Sequence, residues 1–317
     1  IWNSLIQQFD LQAVETDTLT AGKQTAMVAV LKDADRPTAA LQFARYLTSR
    51  DKGMPHFARH HFEPIEDADV WDEHPEIAIM SGAMLKPGIE DALKRFEKRE
   101  GVKINTTYNG CGILVDQMKA GAKPEAYVSC DSSFMTQVQD GFEPSVDLSR
   151  NPMVIVVQKG NPKGIKTLED LTREGLKIGL AHPVNSALGA LTDRLLKRVG
   201  LHEKLYSAEN RVIHTPSAHM LINQMRTGSL DACVAYISNA RSAPQNEKFL
   251  DTIEIPLPDA LATQPYAVSK QTDHRYLMYR LRDAITTAET SRRFESLGFN
   301  WVYDNVESRE PRVESRK

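Results

Sequence analysis

An α/β fold is predicted by three observations. From Ile77 onward, short β-prone runs alternate with amphipathic helical runs, the pattern of a largely parallel sheet covered by helices. Several junctions between them are built from small or capping residues, as where Tyr108-Asn109-Gly110-Cys111-Gly112 passes into Ile113-Leu114. Met153 to Val157 is a continuous apolar run, which suits a strand covered on both faces.

Composition sets the outer bounds. A chain of 317 residues with 41% hydrophobic and 26% charged residues can bury more than one core. A net charge of −3 argues against the basic stripe that nucleic-acid binding requires, so any bound anion is expected to be held by local dipoles. No apolar run approaches the roughly 18 residues of a membrane helix. No signal peptide is visible in this chain, which opens on Ile1 and reads as the middle of a longer product. Cys111, Cys130 and Cys233 are an odd number without metal-ligand spacing, so at least one thiol is free.

Taken in order, residues 1–66 do not read as the start of a domain. Ile1-Trp2 resembles a strand end, Thr25 to Leu31 is β-prone, Arg36-Pro37 opens a helix carrying Leu41, Ala44 and Leu47, and a second helical stretch lies near Met54 to His60. This segment has a counterpart near the other end of the chain. Val28-Ala29-Val30 matches Tyr266-Ala267-Val268, and Lys32 and Asp35 match Lys270 and Asp273. Phe57 and Phe62 match Phe294 and Phe299 after a one-residue slip. The pattern reads as an internal repeat whose first copy lacks its front, although two helical pairs can also align by chance. Residues 67–76, acidic and aperiodic, read as a linker or as a solvated loop.

The regular alternation follows. Strands are expected at Ile77 to Met80, Lys103 to Tyr108, Ala126 to Cys130, Met153 to Val157, Lys177 to Leu180, Val212 to His214 and Ala232 to Tyr236. Helices carry their apolar stripes at Ile89, Leu93 and Phe96, at Leu188, Leu191, Leu195 and Leu196, and at Leu221 and Met225. Residues 307–317 form a charged tail expected to be disordered.

Four strand-to-helix junctions carry the chemistry: Ser81 to Met84, Gly110 to Gly112, Ser186 to Gly189, and Ser217-Ala218. Helix starts present unpaired N–H groups and a positive dipole end, worth about 0.3–1 kcal/mol each toward an anion at exposed sites. In an open α/β sheet such junctions lie at the carboxyl ends of strands, where ligands bind. Each of them can also be an ordinary loop.

From Ile77 to Tyr303 the sequence resembles the periplasmic molybdate/tungstate-binding proteins of ABC importers. The resemblance is carried by Ala83-Met84-Leu85, by Tyr108 to Leu114, by Leu168-Glu169-Asp170-Leu171, by Ser186-Ala187-Leu188-Gly189, and by Gly228 to Ala232 running into Tyr236. It implies a two-lobed periplasmic-binding-protein fold with a hinge and an interlobe ligand cleft. Lobe 1 would span about 77–155 and 262–306, and lobe 2 about 156–240, within a complete domain 77–306. Crossing segments would lie near Met153–Gln158 and Ser238–Pro265, and residues 1–66 would be the C-terminal part of an incomplete upstream copy. The resemblance further implies capture of molybdate or tungstate, no catalysis, a membrane ABC permease as partner, and a periplasmic or lipid-anchored extracytoplasmic location.

The implied ligand-binding residues are Ala83, Met84, Asn109, Gly110, Cys111, Gly112, Ser186, Leu188, Gly189, Ala218, His219 and Tyr236. Met84 and Cys111 stand where the family places serines, Leu188 and Ala218 offer backbone N–H groups, and Tyr236 keeps the family's closing hydroxyl. A thioether cannot donate a hydrogen bond and a thiol donates weakly. This departure keeps other ligands in view: another oxyanion, or a soft metal ion on Met84, Cys111 and His219. A sensory or scaffold role for the same fold is a further alternative. No acid–base pair marks an enzyme. Residues 1–66 offer a surface for self-association.

Overall fold

Pro37, whose ring already holds a helical φ, starts helix α1 (Pro37–Thr48), and Leu41 and Ala44 turn inward from it. A short helix α2 (Gly53–Arg59) follows. A computed structural model of the chain describes residue 12 and residues 25–65, 67–207 and 212–304. The run 25–31, β-prone in sequence, forms no strand, and Met27 and Leu31 are exposed. Side-chain preference alone does not make a strand without a pairing edge. The expectations for Ile1-Trp2 and for the tail 307–317 lie outside the described residues.

Regular alternation begins with β1 (Glu76–Gly82), a single 3₁₀ turn at Ala83–Leu85, and α3 (Lys86–Glu100). Ile89, Leu93 and Phe96 form the buried stripe of α3, and Gly101 ends it at φ +65°, a left-handed conformation that glycine adopts without strain. Then come β2 (Lys103–Asn109), α4 (Cys111–Lys119), β3 (Ala126–Val128) and α5 (Ser132–Thr136). β1 lies between β2 and β3 and is parallel to both.

Strand β4 (Val146–Gln158) extends well beyond its apolar run because it belongs to two lobes. The chain continues through β5 (Ile178–Ala181), α6 (Ala187–Arg198), α7 (His202–Tyr206), β6 (Val212–Thr215), α8 (Ala218–Arg226), β7 (Ala232–Tyr236) and α9 (Ile237–Ala240). It ends with β8 (Leu250–Glu254), β9 (Leu261–Val268), α10 (Arg275–Ile285), α11 (Ala288–Ser296) and β10 (Asn300–Trp301). The sheet order is β2-β1-β3-β9-β4-β7-β5-β6, with β8 and β10 also paired to β4.

The pairings of β4 explain the whole layout. Its first half, through Pro152, runs antiparallel to β9 and β10, and its second half, from Met153, runs antiparallel to β7, with β8 alongside from Val154. Pro152 has no N–H to give, which is tolerable where the ladder changes hands. β9 is antiparallel to both β3 and β4, so β1, β2 and β3 run the same way as β4, toward the second lobe. β7 opposes β4 and is parallel to β5, which is parallel to β6, so these three run toward the first lobe. The carboxyl ends of both parallel sets therefore meet near the middle of β4.

Ile155, Val156 and Val157 are buried at the centre, as are Leu188, Leu195 and Leu196 on α6. Each such side chain contributes about 1.5–3 kcal/mol by leaving water. Residues 67–75, irregular in structure, are tied to the first lobe. The Asp69 carboxylate accepts the N–H groups of Tyr276 (2.8 Å) and Leu277 (3.0 Å) at the start of α10, and Trp71 packs edge-on against Tyr46 at 5.3 Å. Arg45 on α1 and Arg280 on α10 both pair with the buried Glu100 of α3.

Candidate ligand cleft

The ends of β1, β2 and β3 place Gly82, Asn109 and Ser129-Cys130 side by side. Each strand stops in residues small enough for the following helix or turn to start at once. Cys111 is the first residue of α4 and is fully buried, with its sulfur turned back into the lobe. There it accepts the backbone N–H of Cys130 at 3.1 Å and faces the Ser129 hydroxyl at 3.8 Å. A side chain on Gly82 would collide with the Cys130 sulfur and stand 3.2 Å from that of Cys111, so this glycine lets the two thiols converge.

Burial pushes the Cys111 thiol up, but hydrogen bonds from the Cys130 thiol and N–H, from Tyr127 and from Ser129 outweigh it and bring it below the ordinary thiol range. Cys130 is pushed well above its ordinary range, first because its proton is held by Cys111 and second by burial. Cys130 reads in sequence as a small core residue. It is that, and it also adjoins the cleft.

Met84 is buried in the 3₁₀ turn before α3, with its sulfur 4.0 Å from the Asn151 amide nitrogen. Asn151, at the handover of β4, donates to the Ser238 hydroxyl at 2.7 Å, and its carbonyl oxygen has no partner. Opposite it, Tyr236 ends β7, paired with Met153. Its side chain is 2% exposed and its hydroxyl has no hydrogen-bond partner. Burial pushes this phenol far above its ordinary range, and the nearby acidic groups Cys130, Asp131 and Cys111 add to the effect.

The two lobes touch directly at the glycine turn. A Cβ on Gly110 would come within 2.7 Å of the Asn185 carbonyl oxygen, and one on Gly112 within 2.5 Å of the Val184 carbonyl oxygen. Asp131, buried and accepting the Ser133 N–H at 3.1 Å, faces Arg194 of α6 across the same gap at 3.7 Å. Ser186 caps the backbone start of α6, and Leu188 and Gly189 are buried in its first turn. That turn is drawn in by the Ser186 N–H donating to the His182 carbonyl. Asn109 uses its side-chain oxygen on the Gly110 N–H at 2.9 Å, which occupies one donor of the turn.

Thus Met84, Cys111 and Tyr236 are enclosed between the lobes or beside them, and Gly110, Gly112 and the turn before Ser186 form one edge of the contact. Ala83 is half-buried beside Met84. Ala218, half-buried, starts α8 as expected, but His219 beside it is exposed to solvent and does not join the two sulfurs. Among the described residues no group of three or more His, Cys, Asp or Glu side chains could hold a metal ion.

Sequence reasoning missed Asn151, Ser238, Asp131 and Arg194 as cleft residues. Asn151-Pro152 standing directly before the apolar run Met153 to Val157 was a usable signal, because a polar residue beside a proline marks a break in the ladder. A separate cavity of about 460 Å³ lies between residues 28–75 and α10, lined in part by Arg45, Asp69, His274 and Arg280. It lies away from the strand ends.

Comparison with known proteins places this cleft in context. The chain is 27% identical over 228 residues to the molybdate-binding protein ModA of Mycobacterium tuberculosis, covering 70% of this chain and 84% of that protein. Its fold matches that of the Azotobacter vinelandii periplasmic molybdate-binding protein with a TM-score of 0.60 at 14% identity, over 72% of this chain and 99% of that one. The sulfate-binding protein SubI of Mycobacterium tuberculosis matches equally well, with a TM-score of 0.60 at 18% identity, over 72% of this chain and 88% of that one. Residues 77–300, the span that supplies both sets of strand ends, match the bacterial extracellular solute-binding protein family, and the chain belongs to that family.

Proposed function

We propose that this protein captures a small tetrahedral oxyanion, molybdate or tungstate, outside the cytoplasm and delivers it to a membrane ABC permease. The observation that carries this reading is the buried, unpartnered Tyr236 hydroxyl, set where the carboxyl ends of two opposed parallel strand sets meet. A phenol held far above its ordinary range stays protonated and donates. The helix starts at Cys111, Ala187 and Ala218, which follow β2, β5 and β6, offer N–H groups and positive dipole ends.

Met84 and Cys111 replace the two hydroxyl donors that the family resemblance implies, so backbone N–H groups and Tyr236 carry the binding. Relatives that bind molybdate and relatives that bind sulfate both resemble this chain. The ligand is therefore decided by titration. Calorimetry with molybdate, tungstate, sulfate and phosphate should give micromolar or tighter binding, about −8 kcal/mol, for molybdate and tungstate alone. Sulfate binding with molybdate silent would reassign the ligand, and silence from all four would remove the oxyanion reading.

The division into lobes at about 77–155 with 262–306 and about 156–240 follows from the same proposal. So does the reading of residues 1–66 as part of an incomplete upstream copy, supported by the matched Phe57 and Phe62 and by helices α1 and α2, though not by residues 25–31, which form no strand.

A further inference from the structure

The two thiols that converge over Gly82 serve no purpose in oxyanion capture by backbone donors. We propose that Cys111 and Cys130 form a dithiol site for trivalent arsenic, taken up as its uncharged oxyacid As(OH)₃. This goes beyond the oxyanion reading and does not depend on it.

The argument is one of placement. Both sulfurs pack against the bare Cα of Gly82, and the Cys130 thiol hydrogen-bonds the Cys111 sulfur, so the two stand close enough for one atom to bridge them. The Cys130 N–H donates to the Cys111 sulfur at 3.1 Å, and the Met84 N–H donates to that of Cys130, which fixes the aim of each. Tyr236, nine-tenths and more buried, carries a hydroxyl without a partner and sits in the electrostatic field of both thiols. Sulfur ligands select soft centres over hard ones, and the thiolate is the attacking form.

The exchange balances without any electron transfer. Each thiol gives its proton to an arsenic-bound hydroxyl, two As–O bonds break, two As–S bonds form, and two waters leave. Arsenic stays trivalent and keeps one hydroxyl. Both cysteines are buried in the first lobe, so entry requires the packing around Gly82 to open.

The third cysteine provides the control, since Cys233 is buried in β7 opposite Val156 in the other lobe. Reduced full-length chain is incubated anaerobically with sodium arsenite, and the product is read by mass spectrometry and by counting reactive thiols. One arsenic per chain is expected, with two of the three thiols lost to titration. Cys233→Ser should behave as the unaltered chain, whereas Cys111→Ser and Cys130→Ser should each weaken uptake by about 100-fold or more, the loss of a second tether. No adduct on the unaltered chain at millimolar arsenite, or uptake by either the Cys111→Ser or the Cys130→Ser variant equal to that of the unaltered chain, overturns the proposal. Calorimetry with molybdate on the same sample keeps the two readings apart: an arsenic adduct beside a silent molybdate titration sinks only the oxyanion reading.

Discussion

A single hydroxyl carries the proposed exchange of stability for binding. The Tyr236 oxygen is buried without a partner, a state that costs about 1–3 kcal/mol. Tyr236→Phe should therefore melt at a higher temperature than the unaltered chain when no ligand is present. The same change removes a donor to a charged ligand, a loss of about 1.5–3 kcal/mol, so oxyanion affinity should fall roughly 10- to 100-fold by calorimetry. A drop in both quantities would mean that the phenol is structural. Tyr236 was legible in sequence through its place after Gly228 to Ala232. Its lack of a partner was not, because an orphan atom is defined by everything around it. Cys130 was legible only as a buried residue, since its second role depends on Gly82 and Cys111, 48 and 19 positions away.

Elements that start helices are local features, and all four junctions can be found by reading along the chain. Ser186 and Ser217 are N-cap residue types, and Gly110 to Gly112 leaves backbone bare. Which junctions face one another is a different matter, settled by strand direction. Gly112 makes the point testable. It lies in the first turn of α4, where alanine suits the backbone, yet its Cβ would meet the Val184 carbonyl of the other lobe. Gly112→Ala should thus leave the unliganded melting temperature unchanged or slightly higher. It should weaken ligand binding by about 1–3 kcal/mol, the cost of an overpacked contact, because closure is obstructed. Unchanged affinity would show that the two turns do not need to touch when ligand binds.

Across the whole molecule, the segment before residue 76 is held to the first lobe by a polar seam at the start of α10. His274 sits in that seam, its ring nitrogen 2.8 Å from the Glu125 carboxylate. The hydrogen bond to Glu125 raises its pKa above 6.5, and the charges of Asp69 and Asp72 add to this against the opposing effect of burial. A histidine whose folded pKa is raised contributes stability that is complete below 6.5 and is lost as pH rises through the raised value. Melting temperature should therefore fall as pH increases from 6.5 through that window, and His274→Gln should flatten the dependence. An identical slope in the variant would place the titration elsewhere. The seam also explains why residues 67–75, which read as a linker or loop, are not free: Asp69 caps a helix more than 200 residues away in sequence.

By itself the sequence determined the elements. From Ile77 onward periodicity set the strands and helices and small residues set the turns between them, because each of these is written in neighbours along the chain. Only the tertiary structure decided that β4 serves two sheets, that the carboxyl ends of β1, β2 and β3 therefore face those of β5, β6 and β7, and that the Cys111 and Cys130 sulfurs converge over Gly82. Those are matters of pairing and direction between distant segments. Hydrogen-bond ladders settle them through the whole sheet at once, and no local window of residues encodes them.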